Sequence, residues 1–180
     1  MMIEDKYRDE AAGIYLRLMT GDDTERIIRW RNSDAVRRNF IYQELFTREG
    51  REHWIRSKVE TGDVVQMIIC DLATGEPFGS VYIRDIDRQH NKAEYGIFIG
   101  EPSARGRGLG TAAAKLMLWY CFEEEELHRV YLRALSGNEQ AIRSYEKAGF
   151  QREGILRGDV RIDGEDKDIV WMAAVAPEEK

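Results

Sequence analysis

The stretch Ile97-Phe98-Ile99-Gly100-Glu101-Pro102-Ser103-Ala104-Arg105-Gly106-Arg107-Gly108-Leu109-Gly110-Thr111 decides how this chain is read. An apolar run ends at Ile99, a turn passes through Gly100 and Pro102, and three alternating glycines lead into a long, mostly apolar segment. The pattern predicts a strand, a loop and the N-terminus of a helix. Glycine permits positive φ and lets a ligand approach the backbone closely. The first N–H groups of a helix lack internal partners, and the macrodipole places about half a positive charge there. A pyrophosphate suits such a site, and Arg105 and Arg107 add positive charge. Two phosphate-binding patterns are excluded. A P-loop ends in Gly-Lys followed by Ser or Thr, which is absent. The Rossmann fingerprint is Gly-x-Gly-x-x-Gly straight after a strand, whereas here Gly-x-Gly-x-Gly follows a longer loop.

Working outward, residues 108–126 read as a long helix and 129–135 as a strand. Residues 138–148 read as a helix with Asn138 as N-cap and Gly149 just past its end. Segments 160–162 and 168–175 flank Asp163-Gly164, a type I′ hairpin signal. Upstream, 64–71 is nearly all apolar, like a strand buried on both faces. A turn at 73–77 returns it as 78–86, and 93–99 follows. Residues 14–19 read as a first strand. Ile27, Ile28 and Trp30 suit one side of a helix, Ser33 or Asp34 caps a short helix carrying Val36 and Phe40, and 47–61 is a further helix stopped by Gly62. The order is summarised as β-α-α-β-β-β-α-β-α-β-β. It predicts an α/β (α+β) fold with one mixed central sheet of about seven strands and helices on both faces. One domain over 1–180 is expected, with its core at about 14–175.

The bulk numbers set limits. Of 180 residues, 43% are hydrophobic and 33% charged, and only 3 are Pro, so a globular chain without a linker is expected. A net charge of −6 argues against nucleic acid, which requires a basic face. It favours cationic acceptors weakly. The opening residues 1–6 carry no apolar h-region, so no signal peptide is expected. No apolar run approaches the ~20 residues that span a bilayer. Cys70 and Cys121 are isolated and read as reduced core thiols in a cytoplasmic protein. His53, His90 and His128 are far apart, and no metal site is expected.

Two signatures carry a family resemblance. Arg105-Gly106-Arg107-Gly108-Leu109-Gly110 matches the loop pattern Arg/Gln-x-x-Gly-x-Gly/Ala at every fixed position. Asn138-Glu139-Gln140-Ala141-Ile142-Arg143-Ser144-Tyr145-Glu146-Lys147-Ala148-Gly149-Phe150 is similar to the helix pattern Asn-x-x-Ala-x-x-x-Tyr-x-x-x-Gly-Phe. On these, the chain resembles GNAT N-acetyltransferases, in their RimJ/RimL-like (ribosomal-protein N-acetyltransferase-like) branch, over about 14–175. The resemblance implies that acetyl-CoA lies between the strand ending at Ile99 and the strand beginning at Arg129, which splay apart. Backbone groups at Phe98, Ile99 and Gly100 would bind the pantetheine arm, with an N–H near Phe98 or Ile99 holding the oxyanion. The N–H groups of Arg105, Gly106, Arg107, Gly108, Leu109, Gly110 and Thr111 would hold the pyrophosphate. Asn138 would steady the pantetheine, cap its helix, or do both.

The resemblance also implies chemistry. Tyr145 matches the position whose hydroxyl gives a proton to the departing thiolate; the alternative is a core aromatic beside Ala141 and Ala148. An alkyl amine of pKa ~10.4 is neutral only about once in 2,500 molecules at pH 7, so a base is useful. Glu94, which shares a strand face with Gly96 and Phe98, is the candidate; the alternative is a salt-bridged carboxylate. Trp30-Arg31-Asn32, with Val36-Arg37, looks like a motif of amino-sugar-nucleotide N-acetyltransferases, whose arginines would pair with substrate phosphates. The alternative there is a core Trp with solvated charges. Neither cysteine sits in a motif, so direct transfer to a primary amine is expected. The acceptor is an amino-sugar nucleotide, a protein N-terminus or a polyamine. A non-catalytic acyl-CoA-binding sensor or interaction module is the rival reading. Homodimers are common in the superfamily, and no seam in this sequence demands one.

Overall fold

The computed structural model describes residues 7–177; the opening 1–6, read above for an export signal, lies outside them. Its centre is one eight-stranded sheet in the order β1-β2-β3-β4-β5-β6-β8-β7. The strands are β1 (Arg8–Asp9), β2 (Ile14–Leu18), β3 (Val65–Asp71), β4 (Pro77–Asp87), β5 (Lys92–Ile99), β6 (Arg129–Leu135), β7 (Gln151–Ile162) and β8 (Glu165–Val175). Every neighbouring pair is antiparallel except β5 and β6, which are parallel. The extra strand beyond the expected seven is β1, two residues long on the edge of β2.

Strand burial follows the alternation of side chains across a pleated sheet. In β3, Met67 and Ile69 face one core, and Ile68 and Cys70 face the other. The larger core lies under α4 (Leu109–Glu123) and α5 (Glu139–Ala148). Helix α4 presents Ala112, Ala113, Ala114, Met117, Leu118 and Cys121 to it, and the run of three alanines lets the helix approach the sheet closely. The smaller core, on the opposite face, joins Ile27, Trp30 and Val36 to Tyr15, Ile68, Cys70 and Phe98. Ile27 and Trp30 come from α1 (Thr24–Asn32) and Val36 from α2 (Asp34–Arg37); α1 packs on both α2 and α3 (Arg48–Trp54). Three α-helices therefore stand between β2 and β3 where the summarised order gave two. The segment expected as one helix over 47–61 is α3, capped by the Thr47 hydroxyl, followed by a π-helical turn at Ile55–Val59. Of its side chains Arg51 is the buried one.

The last hairpin turns at Asp163 and Gly164, both at positive φ as a type I′ turn requires. Its first strand is much longer than the expected 160–162. Strand β7 lies on the sheet edge, largely exposed, with register shifts between Arg152 and Gly154 and between Leu156 and Val160. Among the described residues no helix is long and apolar enough to cross a membrane.

Candidate active site

Strands β5 and β6 pair over only three positions, Lys92 with Arg129, Ala93 with Val130 and Glu94 with Tyr131. Beyond these they diverge, because β6 continues on β8 while β5 stays with β4. The gap opens a groove of about 800 Å³. At one end lies the glycine loop. Gly106 (φ 73°) and Gly108 (φ 78°) both sit in the left-handed region, where a side chain is strained. Alternation of this kind turns successive N–H groups into a concave anion-binding nest. Gly108 is also the N-cap of α4, whose turn bonds resume only at the Thr111 N–H, which donates to the Gly108 carbonyl (3.1 Å). Arg105 anchors the loop: its Nε donates to the Ile99 carbonyl (3.1 Å) and its Nη2 to the Gly100 carbonyl (3.0 Å). The Thr111 and Ser144 hydroxyls share a 2.8 Å hydrogen bond that ties α4 to α5. The loop and the groove fit a pyrophosphate followed by an extended arm.

Helix α5 supplies the next wall. Asn138 caps it, its Oδ1 accepting from the Ala141 N–H at 3.4 Å, and also lines the groove. Both readings of this residue are thus geometrically compatible. Tyr145 lines the groove as well, with its ring edge-on to Tyr95 and to Phe150, each at 6.0 Å. It therefore belongs to the core edge and to the groove at once. Burial, and then Tyr82 nearby, raise its pKa, so the phenol carries its proton at neutral pH. Beside it the Tyr95 hydroxyl is buried without a partner.

At the other end of the groove, Glu94 is buried and ion-paired. It accepts from Arg84 Nη2 (3.0 Å) and Nε (3.3 Å) and from Arg133 Nε (3.0 Å) and Nη2 (3.2 Å). The alternative reading of this residue, a salt-bridged strand carboxylate, is the observed arrangement. Burial works against charge on both arginines, but Glu94 outweighs it and raises both pKa values. Gly96 makes room for the Tyr82 ring, whose Cζ would lie 2.3 Å from a Cβ there.

Several expected site residues are placed differently. Trp30 does not line the groove: it is buried edge-on to Phe98 at 6.2 Å, and its indole N–H donates to Glu101 at 2.7 Å. Asn32 clamps the backbone of Phe46 from both sides, donating at 2.8 Å and accepting at 2.7 Å. Only Arg31 of that trio reaches the groove wall. Gly100 is a seat for Trp30, since a Cβ would stand 2.1 Å from its Cγ. Its N–H donates to Phe78 (2.8 Å) and its carbonyl accepts from Arg105, so its peptide is already committed. The Arg107 side chain is exposed and outside the groove. Phe98, Ile99, Gly106, Leu109, Gly110 and Thr111 line it with Arg105. Sequence reading missed Arg51, Arg84 and Arg133 in the same wall. The thiols of Cys70 and Cys121 are buried, and burial pushes both pKa values up.

Comparison with known proteins agrees with this geometry. The family model described as acetyltransferase (GNAT) domain matches residues 14–151. The spermidine N(1)-acetyltransferase of Escherichia coli K12 is 38% identical over 106 residues, 59% of this chain and 55% of that enzyme. The Bacillus subtilis protein named "Putative ribosomal N-acetyltransferase YdaF" is 30% identical over 125 residues, 69% of this chain and 66% of its own length. The chain thus spans between about half and two thirds of the length of these relatives. The crystal structure of a spermidine N-acetyltransferase from Vibrio cholerae in complex with CoA and spermine superposes with a TM-score of 0.85 at 24% identity, over 91% of this chain and 96% of that one. That likeness shows the fold. With the glycine loop and the Asn138–Phe150 signature in place on it, the chain belongs to the acetyltransferase (GNAT) domain family.

Proposed function

We propose that the protein is an acetyl-CoA-dependent N-acetyltransferase that moves an acetyl group directly to a primary amine. The observation that carries this reading is the β5/β6 gap, which joins the Gly106–Gly108 nest to the protonated phenol of Tyr145 in one groove. When bound, acetyl-CoA supplies the activated acetyl thioester. The N–H groups from Gly106 to Gly110 hold its pyrophosphate, with Arg105 fixing the loop and Asn138 beside the arm.

The acceptor enters from the Arg31 end as a neutral amine, one proton of its ammonium having gone to solvent. Its nitrogen bonds to the acetyl carbon, and the carbon–sulfur bond breaks. Tyr145 donates a hydrogen bond to the sulfur as charge develops there and passes its proton to the thiolate. The second proton of the nitrogen restores the phenol through solvent, so the sum is amide plus free thiol. Because burial raises the phenol's pKa, full transfer is coupled to that return rather than complete beforehand. Glu94 has both oxygens engaged by guanidinium groups, and its part is to hold Arg84 and Arg133 in the wall. Deprotonation of the amine then falls to water. The likeness to spermidine acetyltransferases supports a small soluble amine as acceptor.

Initial rates over a matrix of acetyl-CoA and amine concentrations test the direct route. Intersecting double-reciprocal lines are expected from a ternary complex. Parallel lines would show an acetylated enzyme and contradict it. Tight acetyl-CoA binding without release of thiol on any amine would make the chain a binding module.

A further inference from the structure

The acceptor end of the groove carries an unusual charge. In a chain of net charge −6, its wall holds Arg31, Arg51, Arg84 and Arg133 against Glu94 and the exposed Glu44. Arg84 and Arg133 share Glu94. Arg31 and Arg51 are 6% and 4% exposed, and among the described residues neither meets a carboxylate. Arg31 lies 3.6 Å from the Phe40 ring centroid and 4.7 Å from that of Phe46. Its Nη2 reaches only the Tyr42 carbonyl at 3.5 Å, and its Nη1 is buried with no partner at all. Arg51 stacks 4.1 Å from the Trp54 centroid and donates to the Gln66 side-chain oxygen, leaving its Nε buried and unpartnered. Burial works against charge on both, lowering the pKa of Arg31 and lowering that of Arg51 to about 10; a guanidinium is basic enough to keep its proton at neutral pH all the same.

A buried guanidinium without a counter-charge is strongly unfavourable unless something supplies one. A guanidinium fork is also shaped for a carboxylate or phosphate, which it binds bidentately. A polyamine would bring further ammonium groups to this wall, where Glu94 is already taken. We propose that the acceptor is an amine that also carries an anionic group, a carboxylate or a phosphate ester, seated by Arg31 with Arg51 behind it. This rests on the acetyl-transfer reading above and narrows its substrate.

The test is thiol release from acetyl-CoA by the full chain. One arm offers amino acids and short acidic peptides beside their amides. A second offers amino-sugar phosphates beside the free amino sugars, and spermidine is the third. At least a tenfold higher kcat/KM for an anionic amine over its neutral counterpart is expected, and the arm that shows it separates carboxylate from phosphate. Arg31→Gln should then cost the anionic acceptor about 30-fold or more in kcat/KM, chiefly through its KM, and erase the preference. Arg31→Lys keeps the charge and loses the fork; it should fall between, at a melting temperature near that of the wild type. Faster turnover of spermidine or of the neutral counterparts would overturn the acceptor class and leave acetyl transfer standing. No turnover on any arm, with acetyl-CoA still bound, would overturn acetyl transfer itself and this class with it.

Discussion

Tyr145 stands where helix α5 meets the opened edge of β5, and its ring is held by Tyr95 and Phe150. Removing only its hydroxyl leaves that packing in place. Tyr145→Phe should therefore lower kcat by about 100-fold or more while the acetyl-CoA dissociation constant stays nearly unchanged; single-turnover rates and equilibrium titration of one preparation check both. Glu94 calls for a different readout. Glu94→Gln strips Arg84 and Arg133 of their shared counter-charge and should cost about 3–5 kcal/mol of stability in denaturant melts. The acidic limb of the kcat/KM profile should survive the change; its disappearance would mark Glu94 as the base. Tyr145 and Asn138 were legible in the sequence because they occupy fixed places in a helix pattern. Arg51, Arg84 and Arg133 were not, because arginine is ordinarily solvated and only tertiary packing buries it. Trp30 stood open between a binding motif and a core aromatic, and the absence of a Cβ at Gly100 shows what the indole is packed on.

The glycine loop joins two elements and makes different demands at each end. At Gly108 the demand is conformational, since φ is 78° and nothing lies within 4 Å of a would-be Cβ. Gly108→Ala should cost about 1–2 kcal/mol of backbone strain and weaken acetyl-CoA binding with little change in the fold, which calorimetry and titration together would show. At Gly100 the demand is spatial. Gly100→Ala should displace Trp30 from the smaller core and lower the melting temperature far more than Gly108→Ala does. The strong elements were readable for plain reasons. Segment 129–135 alternates between buried and half-buried positions, and β3 is apolar on both faces. Strand β7 was unreadable because it is exposed on an edge, interrupted by Gly154 and Gly158, and held by its ladder to β8 rather than by an apolar pattern. The π-helical turn after α3 has no residue signature that would have marked it.

At the scale of the molecule, the sheet divides two cores, and the groove passes through it where β5 and β6 part. The mixed topology follows from the helical crossovers, which is why it could be anticipated while the edge strand β1 could not. Acid stability depends on a carboxylate outside the groove lining. Asp23 is buried, which alone would raise its pKa, but two 2.7 Å bonds from Arg17 and one of 2.9 Å from the Thr20 N–H outweigh this and lower it. A carboxyl whose pKa is lower folded than unfolded stabilises above its unfolded value of ~3.9, and that contribution fades as the pH falls through the folded value. Asp23→Asn should therefore melt below the wild type at pH 7, and the difference should shrink below about pH 4. The most direct measurement is thiol release from acetyl-CoA with and without the amine panel, run on the wild type beside Tyr145→Phe. Amine-dependent release that the substitution cuts at least 100-fold, with cofactor binding retained, is the expected result. Release that Tyr145→Phe leaves untouched, or binding with no release on any amine, would contradict it.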